Sequence, residues 1–147
     1  MSDSIRIQRE DFDVAAEIAA LTAGVAAGAV ASFVGMVRGE DGLSAMTLEH
    51  YPRMTEREIA VHVAEARRRW PLLRLRIVHR VGMLLPGERI VFVGVSASHR
   101  KAAFEAVQFL MDYLKTRAPF WKEEARNGKK GWVEAKVEDE AAVSRWR

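Results

Sequence analysis

Apolar and polar positions change period several times along the chain, and each change marks an element. SIRIQ, starting at Ser4, alternates as a short strand does. Residues 13–24, DVAAEIAALTAG, read as a helix with Asp11 or Asp13 as its cap and Gly24 as its stop. Residues 27–38, AGAVASFVGMVR, alternate again and contain small residues, which predicts a strand. A polar loop, GEDGLS, separates it from another strand, AMTLEHY. Thr55 and Glu58 have the T-x-x-E spacing of a capping box, and the helix they open puts Ile59, Val63, Ala66 and Trp70 on one face. Pro71 ends it. LRLRIVHRVGML and RIVFVGVSA follow, joined by LPGE, where Pro86 and Gly87 suit the central positions of a type II turn. This predicts a hairpin. Its second strand is apolar on both faces through Val91, Phe92, Val93 and Val95, as a central strand is.

A helix over about 99–117 comes next, with Phe104, Val107, Met111 and Leu114 as its apolar stripe. Pro119 stops it, because the ring would clash with the carbonyl of Lys115 four residues back. The tail contains one more strand, GWVEAKV. The order β-α-β-β-α-β-β-α-β, with hairpins and more strands than helices, predicts an α+β fold: a mixed sheet with flanking helices, in one domain over residues 1–147.

Composition narrows the class. An apolar fraction of 49% and a charged fraction of 29% suit a folded domain with a real core. No apolar run approaches the roughly 20 residues that span a bilayer, and MSDSIRIQRE lacks the apolar core of a signal peptide. These features point to a soluble, cytoplasmic protein. The chain has no cysteine, so it forms no disulfide or thiolate metal site and cannot carry sulfur as a thiol or persulfide. Net charge is +3, with acids interleaved among the bases, which argues against nucleic-acid binding. Even EARRRW at 65–70 reads as a solvated helix face.

Three stretches carry candidate chemistry. In DYLKTRAPFWKEEARNG, Lys115 lies in the last helical turn and Lys122 lies beyond Pro119, in extended chain. If the chain folds back, the two ammonium groups meet, with Phe120 and Trp121 as walls. A lysine near another cation in a partly dry pocket loses proton affinity and becomes a usable nucleophile or base. Spacing equally allows Lys115 to complement the helix dipole and Lys122 to be a surface cation. In VSASHRKAAF, a buried strand runs into a helix at His99 and Arg100, where free N–H groups favour an anion; Ser98 as a simple helix cap is the competing reading. In FVGMVRGEDG, Arg38 ends a strand before a glycine-containing loop and could line a ligand site or sit on the surface. His50, His62 and His79 have no metal-ligand spacing, so no bound metal and no cofactor is expected.

SFVGMVR, LEHYPRM, HRVGMLLPGE, VGVSASHRKAAFEA, MDYLKTRAPFWKEE and GWVEA together resemble, in this order, the large catalytic subunit of molybdopterin synthase. The resemblance runs from about Gly28 to Ala135, and the stretch around LKTRAPFWK is its most specific part. It implies an α/β-hammerhead-like fold and a homodimer. Each copy would bind a small ubiquitin-like sulfur-carrier subunit, giving a heterotetramer. It implies sulfurtransferase activity in molybdenum-cofactor biosynthesis, with cyclic pyranopterin monophosphate converted to molybdopterin by dithiolene formation. The sulfur would come from a thiocarboxylate on the carrier's C-terminal Gly-Gly tail. By the same resemblance Lys115 is the catalytic lysine beside that tail, and Lys122 a second catalytic or substrate-orienting lysine. Met36, Val37 and Arg38 would line the substrate pocket, with Glu123 and Glu124 continuing it and Phe33 supporting it by packing. His99 and Arg100 would bind the phosphate from the neighbouring subunit. The loop GEDGLSA after Arg38 is shorter than the family often has, which puts its reach over substrate in doubt, and the first 26 residues carry no family signal. The alternatives are a scaffold that holds a ubiquitin-like partner without chemistry and, more weakly, a nucleic-acid binder.

Overall fold

A computed structural model of the chain describes residues 3–133 and 137–147. Among the described residues the strands form two four-stranded sheets, and four helices accompany them. The first sheet has the order β1 (Ser4–Gln8), β4 (Leu72–Arg80), β6 (Arg89–Ala97), β2 (Ala29–Met36). β1 and β4 run parallel, and the other two pairs are antiparallel. This is the expected mixed sheet. β6 lies inside it and is buried from Val91 to Ala97, as its two-faced apolar run requires.

Helices cover both faces of this sheet. α2 (Met54–Arg69) and α3 (Arg100–Thr116) pack on one face through Ile59, Val63, Ala66, Ala103, Ala106 and Leu110, against Leu75, Ile77, Val93 and Val95. α1 (Val14–Thr22) covers the other with Leu21, over Val78 and Phe92. Asp13, one of the two expected caps, accepts a hydrogen bond from the Ala16 amide at 3.2 Å. Among the described residues no helix is long and apolar enough to cross a membrane.

The second sheet is antiparallel throughout and was not foreseen as a separate layer. Its order is β5 (Gly82–Leu84), β3 (Leu43–His50), β7 (Phe120–Arg126), β8 (Lys129–Val133). Val37, Leu43, Met46, Leu48 and Leu84 form its own small core. The stretch expected as one strand, LRLRIVHRVGML, divides at Gly82, whose φ of 93° turns the chain out of the first sheet and into the second. The turn at Leu85–Glu88 is nonetheless type II in character: the Glu88 amide donates to the Leu85 carbonyl at 3.0 Å, and Gly87 has φ 90°. The hairpin pairing of β4 with β6 also holds.

Three details depart from the periodic reading. The capping box lies two residues earlier than expected: the Arg53 amide donates to Glu56 at 2.8 Å, and Thr55 is fully buried. In α3, Val107 is buried and Met111 and Leu114 pack against the core as expected, but Phe104 is 66% exposed, and Ala103, Ala106, Phe109 and Leu110 complete the buried face. The alanines let the helix approach the sheet more closely than the larger stripe would. After Pro119 the chain is an ordered inner strand, β7, and not merely extended. Of the predicted strand GWVEAKV, residues 134–136 lie outside the described residues, and Val137 already begins α4 (Val137–Ser144).

Candidate active site

The site is built around the crossover from α3 to β7. The helix closes with the Arg117 and Ala118 amides donating to the Tyr113 carbonyl at 2.7 and 3.1 Å. Pro119 has no amide to extend it. The Pro119 carbonyl accepts from the buried Thr55 hydroxyl at 2.9 Å, and that oxygen accepts from the Tyr51 amide at 3.0 Å. One threonine thereby joins the exit of β3, the first turn of α2 and the crossover. This explains its burial better than capping would.

Strand alternation then sorts the residues that follow. Phe120, Lys122 and Glu124 pair with His50, Leu48 and Met46, so they share the face that holds the second core. Trp121 and Glu123 pair with Glu49 and Thr47 on the opposite face. Trp121 lies there against Tyr51, with ring centroids 4.4 Å apart and planes inclined at 58°. Phe120 can therefore wall the side of Lys122, but Trp121 cannot. Likewise Glu124 shares the Lys122 face and Glu123 does not. The Lys122 ammonium is 3.9 Å from Glu124, whose side chain is only 15% exposed and also binds Arg126 at 3.1 Å.

Phe120 lies against His79 of β4, with centroids 3.8 Å apart and planes 15° from parallel. Burial pushes the His79 imidazole down to about 4, and the nearby charges of Lys115 and His50 push the same way. The exposed Lys115, in the last turn of α3, is thus an electrostatic neighbour of the ring on which Phe120 rests. After Pro119 the chain enters β7, whose first residue, Phe120, stacks on His79.

The segment 36–38 adjoins the second sheet. Val37 is buried in the core with Met46 and Leu48, and its backbone is pinned at both ends: its amide donates to Glu88 at 2.9 Å, and its carbonyl accepts from Gly87 at 2.8 Å. Met36 is 54% exposed, and Arg38 reaches solvent in an ion pair with Glu40 at 2.7 Å. Phe33 is 40% exposed on β2, the edge strand of the first sheet, so within one chain it does not pack beneath the pocket.

His99 and Arg100 stand apart from this cluster. They open α3, whereas Lys115 closes it, and 15 residues of helix separate their backbones by about 22 Å. Both side chains are exposed. His99, and not Ser98, occupies the cap position, and its side chain makes no capping bond. A single chain cannot bring these two residues to Lys115. Periodic reading missed His79 and Thr55 altogether: a histidine without metal spacing and a threonine assigned to a cap give no sign in sequence of what they touch. Among the described residues no group of three or more His, Asp or Glu side chains is placed to hold a metal ion.

Residues 7–117 match the family model described as MoaE protein. The molybdopterin synthase catalytic subunit of Mesorhizobium japonicum is 58% identical over 151 aligned residues, covering 100% of this chain and 95% of the relative. The catalytic subunit of the same name from Pseudomonas aeruginosa is 54% identical, covering 97% and 98%. The solved structure of a molybdopterin biosynthesis MoaE protein from Burkholderia ambifaria superposes with a TM-score of 0.85 at 54% identity, covering 99% of this chain and 98% of that one.

Proposed function

The chain belongs to the MoaE protein family, and from that premise we propose how its site works. It is an enzyme of molybdenum-cofactor biosynthesis with the function of a molybdopterin synthase catalytic subunit, a sulfurtransferase that converts cyclic pyranopterin monophosphate to the dithiolene of molybdopterin. Without cysteine the chain cannot store sulfur as a thiol, so a partner delivers it. That partner is a small ubiquitin-like carrier whose C-terminal Gly-Gly tail ends in a thiocarboxylate. Each tail brings one sulfur, so one dithiolene takes two deliveries. As sulfur passes to the pterin side-chain carbon it displaces an oxygen there, which leaves as water, and a water oxygen replaces sulfur on the tail, which leaves as a carboxylate.

Lys115 sits beside the carrier's terminal glycine, and Lys122 faces the pterin. Two fixed cations stabilise the negative charge that develops on the acyl oxygen while the C–S bond breaks. Glu124, 3.9 Å from the Lys122 ammonium, directs that side chain. Met36 and Arg38 line the pterin side, with the buried Val37 between them holding the strand end in place. Strand alternation puts Glu123 on the face opposite Lys122, which argues against a part for it in this arrangement.

His99 and Arg100 bind the substrate phosphate across a homodimer. The span of α3 supports this, because neither residue reaches its own chain's Lys115. The outer edge of β2 supports it too: among the described residues no strand pairs with it, and it carries exposed Val30 and Phe33, on the sheet that α3 covers with exposed Phe104. With a carrier on each copy the assembly is a heterotetramer.

The observation that carries this reading is the common face of Phe120, Lys122 and Glu124, anchored where Phe120 stacks on the buried His79 ring. Its test is a single-turnover assay with this chain, thiocarboxylated carrier and cyclic pyranopterin monophosphate, with product followed by mass spectrometry. Wild type forms product, and Lys115→Ala, still folded and dimeric, forms almost none. Normal turnover by that variant would remove Lys115 from the reaction.

A further inference from the structure

His79 belongs to none of the roles assigned above, yet it sits where the two lysines' elements meet. It is buried in β4, in register with Ile7 of β1 and Val91 of β6. Its Nδ1 is 2.8 Å from the Arg80 carbonyl oxygen. A carbonyl oxygen only accepts, so Nδ1 carries the hydrogen, and the neutral ring has a single tautomer with Nε2 bare. That bond also stops the ring from flipping. The flat face of the ring meets Phe120 at 3.8 Å, and His50 approaches Phe120 from β3 with centroids 6.4 Å apart. Phe120 is the first residue of β7, and Lys122 follows two positions later on the same face.

We infer that His79 is a positioning residue for the two-lysine site: by holding Phe120 on a neutral ring of fixed tautomer, it sets the entry of β7 and hence the place of Lys122 relative to Lys115. The inference rests on the reading of those lysines as the reacting pair. Three features select a neutral flat ring for this position. A flexible apolar side chain would leave Phe120 free to tilt. A protonated ring would add a cation beside Lys115 and His50. An imidazole bonded only to its neighbour's carbonyl fills a buried site and leaves no donor unpaired.

The test compares His79→Leu, which keeps volume without a flat ring, with His79→Phe, which restores the stacking plane. Both are assayed as dimers with carrier bound, alongside Lys115→Ala and Lys122→Ala. In His79→Leu, kcat falls about 10- to 100-fold while KM for the pterin stays within about twofold, because misplacement of a reacting group costs rate more than binding. His79→Phe recovers to within about threefold of wild type. Nitrogen NMR of the wild-type ring at neutral pH shows the hydrogen on Nδ1 and a bare Nε2. Unchanged kcat in His79→Leu, a Phe variant as slow as the Leu variant, or an Nε2–H ring each overturns the inference. If both lysine variants turn over normally, the site reading itself fails. If they are dead and His79→Leu is normal, only the positioning role fails.

Discussion

Thr55 shows what a single residue decides here. Its hydroxyl accepts from the Tyr51 amide and donates to the Pro119 carbonyl, and nothing of the side chain reaches water. Thr55→Val keeps the shape and orphans both backbone groups. Denaturant unfolding should show a loss of about 1 kcal/mol, the lower end of the cost of leaving polar groups unpaired, because both are only part-buried. His79 acts through protonation. Its folded-state value of about 4 lies below the ordinary 6.5, so the fold holds the neutral ring. The stability this provides is full above 6.5 and drains away as pH falls toward 4, by something on the order of 3 kcal/mol. His62, also lowered by burial, contributes in the same direction. Urea unfolding at pH 7 and pH 4.5 should therefore show a clear drop in wild type and a smaller drop in His79→Phe. Equal slopes in the two proteins would exclude His79 as the source.

At the scale of elements, β7 and β8 are joined by Asn127 and Gly128, with φ of 51° and 78°. Two left-handed residues make the type I′ turn that suits the twist of a hairpin. Gly128→Ala meets no atom within 4 Å, so its cost is purely conformational, about 1–2 kcal/mol. Thermal denaturation should register it, and a melting point equal to wild type would contradict the turn assignment. The sequence reading takes in only GWVEAKV here, two residues later than β8 begins, and neither β7 nor the turn at Asn127–Gly128 is part of it. The face that α3 buries was partly legible. The sequence reading takes the stripe from Phe104, whereas the face the structure buries starts at Ala103 and includes Val107. Which one faces the sheet depends on how closely β6 and β2 let the helix approach, and periodicity is silent on that.

The whole molecule is a dimer in the proposed mechanism, and each site draws on both copies. A mixture of Lys115→Ala and Arg100→Ala subunits tests this directly. Each variant alone has two broken sites. After subunit exchange half the dimers are mixed, and each mixed dimer regains one complete site. Turnover of about a quarter of wild type should appear. If Arg100 served its own chain's Lys115, mixing would restore nothing.

The local order of the chain came from the sequence by itself: the first strands and helices, the stop at Pro119, the Pro86–Gly87 turn and the buried β6. All of these depend on residues within a few positions of one another. The family motifs around Lys115 and Lys122 were equally local. The tertiary structure alone decided that strands split into two layers at Gly82, that Lys122 faces Phe120 and Glu124 while Trp121 and Glu123 turn away, and that His79 lies beneath the crossover. The reason is physical. Strand alternation says which residues share a face, but pairing with β3, 70 or more residues earlier in the chain, determines which face is the inner one.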